Sequence, residues 1–274
     1  MGILSFLLGA AMAASPAQPA IPSAPPQVRA DDPALWVVND DDTIIYLFGT
    51  FHALNGDSRW FEQAVKTAFS ASDELMLETV VPRPGMPPGA YSPQPGVGHP
   101  AGPVAQLAPS ASYLATTKLV MNAGRRKGMS TDNGADAVLR DAADEAGKPV
   151  GGLESFDFQL RMFSSLPGAP SDIPPQDQRT IQALGAMLNA LQAGWHRGAV
   201  EETFAPLLRK MRVESPQTYN VMFVERNARW AHWIAERMKT PGTVFVAVGA
   251  GHLSGPDSVQ NKLAMLGVRS ARIN

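Results

Sequence analysis

Residues 43–52 read Thr43-Ile44-Ile45-Tyr46-Leu47-Phe48-Gly49-Thr50-Phe51-His52, an apolar and β-branched run that ends in glycine and then histidine. Such a run predicts a buried strand with a sharp exit. A shorter apolar run at 35–38 precedes it, and the Asn/Asp stretch 39–42 separates the two. The pair therefore predicts a β-hairpin.

The chain after His52 continues the strand pattern into a predicted βαβ unit. Asp57 and Ser58 can cap a helix whose apolar residues repeat at helical spacing, and the apolar run 74–78 ends in Glu78. This succession favours a parallel sheet with right-handed crossovers. Residues 148–154 and 243–248 predict further strands, and the stretch 155–240 between them is mainly helical in pattern. Residues 268–273 predict the last strand.

Composition bounds the class of protein. The chain has 274 residues, 45% of them hydrophobic and 18% charged, which suits a globular core. The 23 Lys+Arg and 25 Asp+Glu residues give a net charge of -2, so nucleic acid is not an expected partner. The absence of cysteine excludes disulfides, thiolate metal sites and cysteine nucleophiles. Any bound metal would therefore have nitrogen and oxygen ligands.

The N-terminus has the features of an export signal. Residues 3–10 are apolar, Ala11-Met12-Ala13 is a small-x-small pattern of the kind that signal peptidases cut, and a Pro/Ala-rich linker follows over 14–31. The segment departs from the usual pattern in having no Lys or Arg before its apolar core. The apolar run is too short for a membrane helix. We therefore predict a signal peptide at 1–13, a periplasmic or secreted bacterial protein, and no stable membrane insertion after cleavage.

Residues 32–274 are predicted to form the folded domain, with one long loop inside it. Residues 81–109 contain nine prolines and few apolar residues in sequence, which indicates a loop and not a helix or strand. A lid beside the strand ends and a disordered insertion are both compatible with this composition.

Polar residues recur where the predicted strands end. His52 and His252 each close a Gly-x-x-His motif, and Glu78 and Glu154 end strands in the same way. Because ligands of open α/β sheets bind at the carboxyl ends of the strands, these four side chains are expected to share one crevice. Two imidazoles and one or two carboxylates suit Zn, Mn, Co or Fe(II), and a spare carboxylate could act as a base. A histidine that follows a strand is, however, commonly only a hydrogen-bonded loop residue.

The predicted helix over 216–238 adds polar residues to an apolar face. Arg226 and Asn227 flank Trp230 on a helical wheel, which leaves two interpretations for Arg226. It could bind a substrate carboxylate or orient a glutamate of the site, or it could form a structural salt bridge between helix and sheet. Asn227 and Arg59 are further candidates for substrate binding, although Arg59, at the start of the helix after His52, could simply face water, and that interpretation is slightly favoured.

At these residues the sequence resembles the TraB/GumN family, which is related to the Tiki metalloproteases and more distantly to the erythromycin esterases and the haem-binding ChaN proteins. The matching pieces occur in order over about residues 34–274. They are Gly49-Thr50-Phe51-His52, Leu77-Glu78, Gly134-Ala135-Asp136, Gly152-Leu153-Glu154 with Gln159, Arg226-Asn227 before Trp230, and Val248-Gly249-Ala250-Gly251-His252-Leu253 with Gly255.

The resemblance implies an α/β fold with a mixed, mostly parallel central sheet. That sheet would be split between the N- and C-terminal parts of the chain, with a helical insertion between them. It also implies a site built from His52, Glu78 and His252, and a divalent-metal-dependent peptidase activity like that of Tiki-like members. Glu154, Arg226 and Asn227 match family motifs without an assigned role, and the stretch 81–109 matches nothing in the family.

Three functions follow as expectations. The first is a hydrolase, foremost a peptidase, whose divalent metal is held by His52, Glu78 and His252, with Glu154 and Arg226 around it. The second is a metal-free, esterase-like hydrolase in which His52 is the general base and Glu78 orients it. The third is a non-catalytic protein that binds a peptide or haem. In the catalytic cases the partner is a peptide or a small-molecule substrate.

Overall fold

The computed structural model describes residues 32–56, 59–82, 111–166 and 177–274. The predicted signal peptide at 1–13, the linker at 14–31, residues 57–58 and positions 83–109 of the predicted loop lie outside the described residues. Residues 57–58 were predicted to cap the first helix, but its N-cap residue is Glu62.

The described residues form strands and helices in the predicted order. The strands are β1 Leu35–Asn39, β2 Thr43–Thr50, β3 Leu54–Asn55, β4 Glu74–Thr79, β5 Met129–Ser130, β6 Val150–Glu154, β7 Gly242–Gly249 and β8 Ala271–Arg272. The helices are α1 Gln63–Ala71, α2 Ala111–Arg125, α3 Ala135–Glu145, α4 Phe156–Ser165, α5 Gln178–His196, α6 Val200–Glu214, α7 Pro216–Tyr219, α8 Glu225–Arg237 and α9 Val259–Met265. No helix in these ranges is both long enough and apolar enough to cross a membrane.

Six strands make the central sheet, in the order β6-β4-β7-β2-β1-β8. Strands β6, β4, β7 and β2 are parallel to one another. At one side of the sheet, β1 pairs antiparallel with β2, and β8 pairs antiparallel with β1. β7 lies between β2 and β4, so a strand from the C-terminal part completes the sheet begun by the N-terminal part. The predicted fold, a mixed and mostly parallel sheet split between the two parts of the chain, is confirmed.

The apolar runs of β2 and β7 are continuous because both faces of the sheet are covered. Successive residues of a strand point to opposite faces. Leu47 therefore packs in a cluster with Trp230 of α8, whereas its neighbour Phe48 packs on the other face with Trp60 and Trp195. Trp195 is fully buried, and its indole N–H donates to the carbonyl of Gly49 at 2.7 Å. Helix α5 is thereby attached directly to the exit of β2.

Three details differ from the prediction. The helix expected over 216–238 contains a π-helical turn, Asn220–Val224, between α7 and α8. The last strand covers Ala271–Arg272 and not the whole of 268–273, because only these two residues pair with β1. The short antiparallel pair β3 and β5 was not predicted, since two-residue strands carry no alternating pattern.

Candidate functional site

The parallel strands end at one edge of the sheet and bring the predicted polar residues together. His52 lies two residues beyond β2, Glu78 and Glu154 lie in the last residues of β4 and β6, and His252 lies in a 3₁₀ turn directly after β7. Arg226 of α8 reaches this edge from the neighbouring helix and contacts Glu78, Glu154 and His252. The cluster is therefore continuous from β6 to β7, with His52 beside it.

His52 is held by a carboxylate from α3. Its Nδ1 lies 2.7 Å from Asp136 Oδ2, and the hydroxyl of Thr50 donates to Asp136 Oδ1 at 2.8 Å. Asp136 occupies the first turn of α3, where the helix dipole favours a negative charge. The turn comes this close because residue 134 is glycine: a Cβ there would collide with the carbonyl oxygen of His52.

Asp136 also sets the charge of His52. Its negative charge and hydrogen bond, with a smaller contribution from Glu78, raise the pKa of His52 to about 9, although desolvation and Arg226 act in the opposite direction. The imidazole is 65% exposed, so water reaches the pair and its Nε2 is accessible. At neutral pH the protonated form of His52 is favoured.

Glu78 is ionised and held by two hydrogen-bond donors, with His252 close by. Its Oε1 accepts from the backbone N–H of Gly249 at 2.9 Å and lies 3.3 Å from His252 Nε2, and its Oε2 accepts from Arg226 at 3.1 Å. Burial alone would raise the pKa of Glu78, but Arg226, His252, His52 and the Gly249 N–H outweigh it and lower the pKa to about 2. The carboxylate is therefore negatively charged at any physiological pH.

Arg226 forms a buried ion pair with Glu154. Its Nε lies 2.9 Å from Glu154 Oε1, one terminal nitrogen lies 2.8 Å from Glu154 Oε2, and the side chain of Glu154 is fully buried. The guanidinium also lies over the ring of Trp230, 4.7 Å from its centroid. Desolvation opposes its charge, but Glu78 and Glu154 together raise the pKa of Arg226 above its ordinary value. One cation thus joins two carboxylates.

The proton of His252 can be assigned from its neighbours. The side-chain amide of Asn227 donates to the carbonyl of Asp257 at 2.7 Å, so its Oδ1 is the atom that faces His252 Nδ1 at 2.5 Å. Nδ1 therefore carries the hydrogen, and Nε2 has a lone pair that accepts from Arg226 at 3.2 Å. Burial lowers the pKa of His252 to about 3, with Arg226 and His52 adding to it and Glu78 opposing. His252 is neutral.

The donor atoms surround the space beside Gly249. A Cβ on this residue would lie 3.2 Å from Glu78 Oε1, 3.4 Å from His52 Nε2 and 3.7 Å from His252 Cδ2. Hydrogen bonds to Nδ1, like those of Asp136 and Asn227, are the usual means of orienting metal-binding histidines. Nitrogen and carboxylate donors without sulfur suit Zn, Mn, Co or Fe.

The same atoms do not form a ready chelate. Within the four described ranges, no group of three His, Asp or Glu side chains is arranged to hold a metal ion. His252 Nε2 is engaged by Arg226, so it would have to leave that contact in order to bind a metal. The three residues therefore have the kinds of donor atom that bind a divalent metal. To bind one together, they would need Arg226 to leave His252 Nε2.

The cluster opens into a cavity of about 700 Å³. The sheet edge contributes polar groups, among them His52, Glu78 and His252. The opposite walls come from α2, α4, α5, α6 and the π-helical turn. The size lies within the range of small-molecule and cofactor sites.

Two predicted substrate-binding residues have other positions. Arg59 is exposed and does not line the cavity. Asn227 is 1% exposed, its Oδ1 lies 2.5 Å from His252 Nδ1, and it is not among the residues that line the cavity. Arg226 lines the cavity, and of the two interpretations of this residue its contacts match the one in which it orients glutamates.

Sequence reasoning missed Asp136 as a site residue, although it quoted the motif that contains it. Asp136 follows His52 by 84 positions and lies in a helix turn where an acidic residue is ordinary. The available signal was the helix start itself, because a carboxylate in a first turn beside a strand end can reach a histidine. Thr50, which fixes Asp136, was missed for the same reason.

Comparison with known proteins gives one match. The model of the TraB/PrgY/gumN family matches residues 34–92 and 94–272, which is nearly all of the predicted domain. The expectation that residues 81–109 match nothing in the family was wrong, because the match includes all of them except residue 93. No curated protein and no solved structure matches the chain.

Proposed function

This chain belongs to the TraB/PrgY/gumN family, and from that premise we propose that it is a hydrolase whose water nucleophile is activated at His52 and Glu78. In the first form of the proposal the site works with a divalent metal, Mn, Co, Zn or Fe, held by His52, Glu78 and His252. A metal bound there would polarise a carbonyl and lower the pKa of its water. The substrate is a peptide or a small molecule with a hydrolysable acyl bond.

One observation carries the metal-dependent form. Both imidazoles have Nδ1 tied to an oxygen, His52 to Asp136 and His252 to Asn227, so Nε2 is the nitrogen that each would offer to a metal once His52 has lost its proton and His252 has left Arg226. Both Nε2 atoms lie near Glu78 or Gly249. Two such histidines beside an ionised carboxylate are the donor set that a catalytic divalent metal requires.

The remaining residues have positioning roles in this proposal. Glu154 is fully buried and paired, so it holds Arg226 and does not take a proton from water. Arg226 in turn holds Glu78 Oε2, which leaves Glu78 Oε1 turned towards Gly249 and His252. Removing Glu154 would therefore disturb Glu78 through Arg226.

A second candidate is metal-free hydrolysis, which the contact between Arg226 and His252 Nε2 favours. If Arg226 keeps that contact, His252 stays neutral and structural, and the His52–Asp136 pair takes a proton from water in those molecules whose His52 is unprotonated, a fraction that grows as the pH approaches about 9. Arg226 keeps its contacts with Glu78 and Glu154 in this form.

Metal analysis separates the two forms. The mature protein is purified, stripped with chelator, reloaded with Mn, Co, Zn or Fe, and assayed before and after on peptide and ester libraries. His52→Ala is compared with His232→Ala, because His232 is exposed on the far side of α8. The metal-dependent form predicts one retained metal, lost in His52→Ala and kept in His232→Ala.

Each other outcome has a defined meaning. Activity that survives complete chelation and is lost in His52→Ala selects metal-free hydrolysis. Tight binding of a peptide or of haem, with no turnover under any loading, rejects both hydrolytic forms and leaves the binding protein.

We further propose that the protein acts in the periplasm or outside the cell, on the basis of the export pattern at residues 1–13. N-terminal sequencing of protein recovered from each cell fraction tests this. Mature protein that begins near Ala14 in the periplasm or medium is expected, and full-length protein confined to the cytoplasm contradicts it.

A further inference from the structure

The helical walls of the cavity are apolar, whereas the sheet edge opposite them is polar. The side chains that α4, α5, α6 and the π-helical turn contribute are all apolar: Phe163, Leu188, Leu191, Phe204, Met222 and Phe223. The reactive groups lie at the sheet edge. A ligand that fills the cavity therefore meets polar groups where His52 and Glu78 lie and hydrocarbon along the opposite helices.

These wall residues are only half-buried, because they border the cavity. Leu191 and Phe204, for example, come from two different helices and both line it. Apolar surface that remains exposed inside a concave site is stabilised when an apolar ligand covers it. The walls thus favour a ligand whose bulk is hydrocarbon.

A peptide chain suits such walls poorly. Each residue of a bound peptide presents an N–H and a C=O group, and a buried backbone group without a partner costs free energy. Among the residues that the structure describes, the polar side chains that line the cavity away from the sheet edge are Arg125, Ser130 and Thr131, at the end of α2 and in the segment after it. Helices α4, α5 and α6 offer no polar side chain to a peptide backbone.

We infer that the substrate is an ester or amide of an apolar acyl chain, with the chain along the helical walls and the carbonyl beside His52 and Glu78. This inference rests on the proposed hydrolase function and names its substrate class. In the reaction the oxygen of water bonds to the acyl carbon, and one water proton passes to the base. The bond to the alcohol or amine breaks, and that leaving group takes up a proton, so a free fatty acid and an alcohol or amine are released.

Binding and turnover are measured separately in the purified protein. Binding uses n-alkanols from butanol to dodecanol, and turnover uses p-nitrophenyl esters from acetate to laurate. For both series we expect the affinity or kcat/KM to rise about fourfold per added methylene until the cavity is filled, as burial of one CH₂ predicts. Alkanol binding should persist in His52→Ala, because that substitution leaves the apolar walls unchanged.

Substitutions in the walls test whether the acyl chain lies along them. Leu191→Gln places a polar group in the wall and should flatten the dependence on chain length, whereas Leu191→Met keeps the wall apolar and should preserve it. Met121→Gln and Met121→Leu form a second pair at a lining residue that is 41% exposed and so tolerates a polar side chain.

The outcomes distinguish this inference from the function on which it rests. Chain-length-dependent alkanol binding without turnover of any ester, or of any member of the peptide library, contradicts the hydrolase and leaves the acyl-chain cavity supported. Turnover that is indifferent to chain length and unchanged in both polar variants supports the hydrolase and overturns the acyl-chain inference. Faster cleavage of polar peptides than of any ester in the series overturns it as well.

Discussion

Gly249 leaves open the space that Glu78 and His52 border, since even a methyl group there would lie 3.2 Å from Glu78 Oε1. Gly249→Ala should therefore reduce kcat/KM by about a hundredfold, the effect of a small misplacement of reacting groups, while the protein stays folded. Gly251→Ala is the matched control, because its Cβ would meet only the ring of Phe223 at 3.4 Å. Steady-state kinetics and circular dichroism of both variants test this, and equal activity in the two would contradict the assignment of this space to the reaction.

Glu154 is the least exposed carboxylate of the site, and its charge is matched by Arg226. Glu154→Gln removes the anion and leaves a buried cation with one partner fewer, so we expect a loss of about 3–5 kcal/mol in the free energy of unfolding. Glu74→Gln breaks a partly exposed pair with Arg237 and should cost less than about 1 kcal/mol. Urea denaturation measures both, and a similar small loss in each variant would mean that Glu154 does not stabilise the cluster.

At this scale the sequence predicted the polar residues at the strand ends. It missed the side chains that hydrogen-bond to those residues and orient them. His52, Glu78, Glu154 and His252 are visible because a polar residue that follows an apolar run is conspicuous. Asp136 is not, because its contact with His52 depends on where α3 begins in space. The sequence drew attention to Asn227, but its contact with His252 depends on how α8 packs against the turn after β7, which the sequence does not reveal.

At the scale of elements, the ion pair of His52 and Asp136 joins the end of β2 to the start of α3. Asp136 raises the pKa of His52 from the ordinary value of 6.5 to about 9. A group whose pKa is raised on folding stabilises the folded state below its unfolded pKa and loses that effect as the pH rises through its folded pKa. The contribution of this pair to stability should therefore be complete below pH 6.5 and fade towards pH 9.

The test compares Asp136→Asn with the wild type between pH 6 and pH 10. The difference in free energy of unfolding should be largest at the acid end and shrink as the pH approaches about 9. The NMR titration of His52 should move to lower pH in the variant. Glu145→Gln, at the exposed end of the same helix, should change neither quantity. A pH-independent difference would mean that Asp136 acts on the fold without holding the charge of His52.

Secondary structure was predictable where the apolar pattern is long and regular, as in β2 and β7. The π-helical turn at Asn220–Val224 was not, because a helical wheel assumes a constant rotation per residue. That turn contributes Met222 and Phe223 to the cavity and lies directly before Arg226. The apolar walls of the cavity escaped sequence analysis for a related reason, since each of several helices supplies only one or two of their residues.

At the scale of the whole molecule, the sheet depends on β7, which is far from its neighbours in sequence. β2 and β4 do not pair with each other, because β7 lies between them and pairs with both. In a chain that ends before β7, the central sheet is reduced to two separate strand pairs, β1 with β2 and β4 with β6. Isolated two-stranded sheets are marginally stable at best in water.

A chain that ends at residue 241 should therefore show no cooperative urea transition, although it keeps all of the helices from α1 to α8. The control ends at residue 270 and lacks the two-residue edge strand β8 and the last two residues, of which Asn274 hydrogen-bonds Leu35, so it should unfold cooperatively at a lower urea concentration than the full chain. Circular dichroism and tryptophan fluorescence follow both. A cooperative transition in the shorter chain would show that the N-terminal strands and helices form a core without β7. His252 would then join a site whose other members are already in place, and adding residues 242–274 as a separate peptide should restore hydrolysis.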